Sequence, residues 1–354
     1  MTREQLADIH VPPVGTILPE EVGRFLGALP VEGRGEVREI GRSREGRPLH
    51  ALRLGSGAVR VSIVAGAHAD EPGGPLGALA LAQWLLEPAQ ADLLEHTSWA
   101  ICPNVNPDGT VRNEAWLDVL PRLEEYALHA ARELPGDDVE FNYPPAGPEG
   151  QEPRPENRAV ARFLEGFGPV SLHASLHGMA FGFGAWWLIE ESWVDRTAPL
   201  RRRLRRLFEQ AGWGLHDMDR RGEKGFHRIE EGFCTTPSAR AMREHFQSTG
   251  EPETAALFLP SSMEFAQSLG GDPLCMVSEL PIFLIDRKDA DPTAAWEEFR
   301  AASRAAREQL IMSGDDAALR EAARRWNPRP VALDHHARTL VAGVAEAAKF
   351  LLPR

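Results

Sequence analysis

The sequence predicts an α/β protein: three layers, αβα, around a mixed, mostly parallel sheet, with a helical C-terminal extension. Short apolar runs such as Val61 to Ala65 and Cys275 to Ile285 read as strands buried on both faces. Val59 to Ala65 leads through a polar loop into an apolar helix, Gly74 to Leu86, and Ser98 to Cys102 also runs into a polar loop, Pro103 to Arg112. Strand followed by helix is the pattern of a parallel sheet. Polar side chains also gather where these strands stop, and ligands bind at that edge of an open sheet.

In chain order, residues 1–35 form an N-terminal lead-in with one helix, Pro19 to Leu29. Val37 to Ile40 and Leu49 to Leu54 flank a Gly- and Arg-rich turn and pair most simply as a hairpin. Trp116 to Leu134 is helix-like, and Pro144 to Pro155 is a proline-rich loop. Glu156 to Gly166 is a helix, Val170 to Leu176 a strand running into His177, and Ala185 to Ile189 another strand. Thr197 to Ala211 is a basic amphipathic helix, read as a solvated face. Gly222 to Pro260 reads as long loops with a short helix or two. Asp291 to Met312, Asp316 to Arg325 and Val331 to Leu352 are helical. The implied units are 1–35, 36–290 and 291–354.

Of 354 residues, 43% are hydrophobic and 26% charged, enough for a real core. A net charge of −13 argues against nucleic acid as a partner. Cys102, Cys234 and Cys275 are too few and too scattered for a disulfide framework or a CxxC metal motif. They read as inert apolar residues in a reducing compartment. The first residues lack the apolar centre of a signal peptide, and no apolar run spans a bilayer. A cytoplasmic protein without a membrane partner is expected.

Four polar residues interrupt or end the apolar strands: His68, Glu71, His177 and Glu279. An ionised carboxylate inside CMVSELPIFLI needs a partner, because burying it alone costs several kcal/mol. Two His and one Glu with an open fourth position make a catalytic zinc set, and a further carboxylate can serve as general base. His68, Glu71 and His177 are the expected ligands of one Zn2+ per chain, and Glu279 is the expected base. Asp70 reads as a residue that orients a ligand histidine.

These motifs resemble the M14-type zinc carboxypeptidases across residues 36–285. GRSREGRPLHALRLG is similar to the strand-turn-strand ahead of that family's metal loop, and GAHADEPGG to its HxxE loop. NVNPDG is similar to its NPDG loop, SLHGMAFGFG carries the third ligand, and SELP carries the base. The resemblance implies amide-bond hydrolysis by a metallocarboxypeptidase acting on a peptide. It favours His177 over His173 as ligand, leaving His173 to the core.

The recognition residues depart from the family. Its Asn-Arg pair, which grips the substrate's terminal carboxylate, is replaced by Glu140-Phe141, followed by Asn142. No tyrosine lies between His177 and Glu279. Glu140, Phe141 and Asn142 are therefore the expected substrate-binding stretch, with an apolar or cationic group opposite the first two. Arg112, just after NPDG, is the expected oxyanion-stabilising arginine and substrate contact, with Arg154 and Arg158 as other anion binders. Trp186 and Trp187 read as core. The alternatives are an N-acyl amino acid amidohydrolase of the desuccinylase or aspartoacylase kind, a bacterial wall-peptide peptidase, and a non-catalytic binding protein on this fold.

Overall fold

The computed structural model describes residues 2–145, 152–287 and 291–353. The middle of the proline-rich loop and residue 290, the expected unit boundary, lie outside the described residues.

The strands are β1 (Gly35–Arg42), β2 (Pro48–Leu54), β3 (Val59–Ala65), β4 (Thr97–Cys102) and β5 (Leu172–Gly182). They continue with β6 (Trp186–Ile189), β7 (Arg228–Glu230), β8 (Phe233–Thr235), β9 (Leu274–Leu284) and β10 (Arg329–Pro330). The helices of the first half are α1 (Arg3–Ala7), α2 (Pro19–Gly27), α3 (Gly73–Trp84), α4 (Ala91–His96), α5 (Pro107–Arg112), α6 (Leu123–His129) and α7 (Pro155–Glu165). Those of the second half are α8 (Ala198–Ala211), α9 (Ala239–Ser248), α10 (Pro252–Ala256), α11 (Ser262–Ser268), α12 (Pro292–Ser313), α13 (Ala317–Trp326) and α14 (Leu333–Phe350).

The strands make one mixed sheet in the order β1-β2-β4-β3-β5-β9-β6-β8-β7, with β10 on β9. β1 and β2 form the expected antiparallel hairpin. The central run β4-β3-β5-β9 is parallel. The chain moves from β3 to β4 on one side and later to β5 on the other. That reversal is a switch point, where the C-terminal strand ends leave a crevice.

Alternation along β3 assigns its faces. Val61, Ile63 and Ala65 join the core shared with α3, α8 and α14, whereas Val64 joins the one shared with α7 and α11. The sheet is therefore covered by helices on both faces, as expected. α3 is buried almost all round, which is why its sequence is apolar rather than amphipathic.

Gly74, in the first turn of α3, lets the helix approach β5 just before His177. A Cβ there would lie 2.2 Å from the Leu176 carbonyl oxygen. Gly74→Ala should cost on the order of 2 kcal/mol, the scale of overpacking at a fixed backbone. Urea unfolding checks this, and an unchanged midpoint would refute the close approach.

Two expectations change. Trp116 to Leu134 is not one helix: Pro121 cannot continue one, and only α6 forms, leaving residues 130–135 non-helical. Gly222 to Pro260 is more ordered than expected, holding β7, β8, α9 and α10. The helices after 291 include one packed on the sheet layers, as expected. α14 packs against α3 and α8, with Leu340, Val341, Val344 and Ala345 fully buried, so it belongs to the layer over the sheet.

Candidate metal centre

β3 delivers His68 and Glu71. Gly66 adopts φ +80°, a left-handed conformation that suits glycine, and turns the chain off the strand. Glu71 N then donates to the His68 carbonyl at 3.1 Å, closing a turn that puts both side chains on one side. β5 delivers His177, and the parallel register sets Glu279 of β9 directly beside it.

The ligand atoms converge. His68 Nδ1 and His177 Nδ1 lie 3.1 Å apart, and each is 3.0 Å from a Glu71 carboxylate oxygen. A tetrahedral zinc with bonds of about 2.0–2.1 Å holds its ligand atoms roughly 3.3 Å apart, so the triangle is close to the required size. Both Nε2 atoms face the Glu140 carboxylate, that of His177 at 3.9 Å. His68 Nε2 meets Glu140 Oε2 at 3.0 Å and Asp138 Oδ2 at 3.6 Å. His177 Nε2 is buried without a hydrogen-bond partner. An imidazole whose inner nitrogen faces other donors and whose outer nitrogen faces a carboxylate is arranged as metal ligands are.

Charge points the same way. Glu71, Asp138, Glu140 and Glu279 gather around His68 with Arg132 as the neighbouring permanent cation. Burial and the Arg132 charge oppose protonation of His68, yet Glu71, Asp138 and Glu140 raise its pKa well above the ordinary value. Burial would raise the Glu71 carboxyl, but the His68 and Arg132 charges hold it well below the carboxylate range. Burial, and then the Glu71 charge, push Glu279 well above that range. The site has more carboxylates than cations, and a divalent ion would redress this.

Surrounding groups fix the ligands. Gly178 N donates to Glu71 Oε2 at 3.1 Å. Arg132 Nε donates to Asp70 Oδ1 at 2.8 Å, its NH2 group donates to Glu71, and the Tyr126 hydroxyl donates to Asp70 at 3.2 Å. The NPDG loop is structural. Asn106 caps α5 by accepting from Gly109 N, while Asp108 accepts from Ser43 Oγ and Arg47 in the β1–β2 turn. His173 is fully buried between the hydroxyls of Ser62 at 2.8 Å and Ser262 at 3.0 Å.

Two hollows adjoin the cluster. One of ≈ 210 Å³ is lined by Glu140, Phe141, Leu188, Met263, Val277 and Glu279, among others. The other, of ≈ 310 Å³, is lined by Glu71, Arg132, Met179, Trp186, Arg220, Trp296 and Arg300, among others.

His68, Glu71, His177 and Glu279 thus come together, with Glu140 and Phe141 at the rim. Arg112 does not join them. It is exposed and pairs with Glu45 at 2.6 Å, because α5 turns it toward the β1–β2 turn. Asn142 is buried and lines neither hollow; its side-chain oxygen accepts from Arg154 N at 2.6 Å. Arg154 is spent on the buried Glu156, and Arg158 bonds the Pro153 carbonyl. Trp186 and Trp187 are both buried as expected, and Trp186 also lines the larger hollow. The arginine beside the metal ligands is Arg132, hidden from sequence reasoning inside an apparent helix. The nearest signal was its place ahead of the Asp-Asp-Val-Glu stretch that carries Asp138 and Glu140.

Comparison with known proteins gives a family match over part of the chain and a likeness of fold. Residues 32–182 match the zinc carboxypeptidase family model. The structure resembles a metallo-carboxypeptidase from Burkholderia cenocepacia at TM-score 0.51 and 18% identity, over 94% of this chain and 68% of that one. It resembles carboxypeptidase A from Helicoverpa armigera at TM-score 0.51 and 16% identity, over 88% of this chain and 76% of that one. At such identities the likeness is one of fold. No curated protein matches the chain in sequence. Among the described residues no helix is long and apolar enough to cross a membrane.

Proposed function

We propose that this chain, whose residues 32–182 match the zinc carboxypeptidase family model, hydrolyses an amide bond of a peptide with one zinc held by His68, Glu71 and His177. The observation that carries the reading is the triangle of two Nδ1 atoms and a carboxylate within 3.0–3.1 Å, with Glu279 in register beside it. Zinc bound there supplies a Lewis acid that polarises the scissile carbonyl and acidifies water.

The chain's own groups supply the rest. Glu279 takes the proton of the attacking water on its carboxylate and returns it to the leaving nitrogen. Burial and the Glu71 charge raise its carboxyl well above the ordinary range, which favours holding the proton until the leaving nitrogen takes it. Arg132 lines both hollows beside the cluster, so its guanidinium is the candidate donor to the carbonyl oxygen as negative charge develops. Asp70 and Glu71 fix its guanidinium, so little reorganisation is needed. Asp138 and Glu140 hold His68 with its Nδ1 turned inward.

Substrate recognition differs from the family's. A free terminal carboxylate entering the ≈ 210 Å³ hollow would meet Glu140 and the Phe141 ring instead of an amide and a guanidinium. The group held there is apolar or cationic. A mass-spectrometric screen of peptides and N-acyl amino acids tests the reading. Release of C-terminal residues by zinc-loaded protein is expected, with apolar or basic residues favoured. Cleavage of small N-acyl acids alone would replace it with an amidohydrolase. No cleavage, with no zinc retained, would overturn it.

A further inference from the structure

The cleft does not end at the metal ligands. The ≈ 310 Å³ hollow shares Met179, Ala180, Trp296 and Arg300 with an outer hollow of ≈ 450 Å³, so the two form one groove. The end of β5 is one wall and α12 is the other. On α12, Trp296, Arg300 and Arg304 recur every four residues, the spacing that stacks side chains on one helix face, and all three line the groove.

The guanidiniums on this wall differ in what they do. Arg307 is spent on the Ala127 and Ala130 carbonyls at the end of α6. Arg300 and Arg304 make no hydrogen bond or ion pair among the described residues. Arg220 enters from the loop before β7, lies 4.1 Å over the Phe226 ring and pairs with Glu223 at 3.0 Å. Glu308 is the acid lining the outer hollow. Desolvation, and then the Arg220 charge, pull Arg300 below the usual arginine range. Like charges gathered in a partly enclosed groove destabilise the empty protein and favour a bound anion. At the metal end, Asp70 and Glu71 are already engaged by Arg132, while Glu223 and Glu297 offset only part of the charge around Arg300.

We propose that this groove binds an acidic segment of the peptide substrate, with Arg220 and Arg300 nearest the metal centre and Arg304 further along. Carboxylates suit it because a guanidinium accepts them in a planar, two-point arrangement. The open, elongated form suits an extended chain, and Met179 and Trp296 offer apolar surface to its backbone. The proposal rests on the hydrolase reading for the identity of the ligand as a peptide.

Binding without turnover tests it. Zinc-loaded protein carrying Glu279→Gln is titrated, by fluorescence anisotropy, with two peptides of equal length that differ only in Glu or Gln at three positions. The Glu peptide should bind about tenfold more tightly at low salt, the scale of one charge-assisted contact. The advantage should shrink as salt rises. Arg300→Gln with Arg304→Gln should bring the two peptides within about twofold, whereas lysine at both positions should preserve most of the difference. Arg202→Gln, on the exposed face of α8, should leave the difference intact. Equal affinity for the two peptides, or a difference that survives the double glutamine change, would overturn the proposal. The hydrolase reading fails separately: a protein that prefers the acidic peptide in this way but cleaves nothing with Glu279 intact is a binder.

Discussion

Glu279→Gln is expected to keep about one zinc per chain and to lose hydrolysis by about 10²–10⁴-fold, the usual contribution of a positioned general base. The reasons are geometric. Glu279 stands beside His177 in the β5–β9 register and lines both hollows, but it is not one of the three converging ligand atoms. Glutamine has nearly the same shape, so no cavity forms and the strands stay paired. It cannot take a proton from water. His177→Ala makes the contrast, because it removes a ligand atom and should release the metal as well as the activity. Metal content and initial rates on the two variants separate the roles. Full activity in Glu279→Gln would remove this residue from the reaction.

The second large effect is a loss of stability in mild acid. His173, His216 and His336 are almost wholly buried. Burial pulls His173 and His216 down to about 4 and His336 to about 3, from an ordinary value of 6.5. His216 Nδ1 accepts from Phe183 N at 3.2 Å, which also requires an unprotonated nitrogen. Between pH 6.5 and about 4 the unfolded chain binds these protons and the native protein does not. Stability therefore rises with pH across that window and is lost as pH falls through it. Each histidine should cost about 2 kcal/mol at pH 5, about 6 for the three, or a fall in Tm of about 8 °C. Carboxylates titrate in the same range, so a variant isolates the term. Metal-free His173→Asn should be less stable than the parent at pH 7.5 yet lose about 2 kcal/mol less on going to pH 5. Equal losses in parent and variant would show that His173 does not supply it.

What could be read in advance followed from local pattern. A glutamate inside an otherwise apolar strand is conspicuous because isolated buried charge is so unfavourable, and Glu279 stood out on that ground alone. His68 and Glu71 stood out because a short polar loop ended a buried strand. That Glu279 lies beside His177 was not legible, since strand pairing across such a separation leaves no local trace. Arg132 was hidden for a related reason. Its stretch looked helical, but α6 stops at His129 with Ala130 extended, and residues 130–135 reach back to Asp70 and Glu71. Arg112 shows the converse: it follows NPDG in sequence, but one turn of α5 carries it away from the cluster. The groove along α12 depends on which strand end the helix packs against, and its arginines alone resembled any solvated face.

The docking of α14 sets an order of events at the ribosome. The expected metal ligands, Arg132 and Glu279 all precede Leu333 in the chain. Yet α3, the helix that follows the metal loop, remains apolar and uncovered on the side that α14 later buries. Translation therefore finishes the residues of the candidate metal centre before the helix that covers the apolar side of α3.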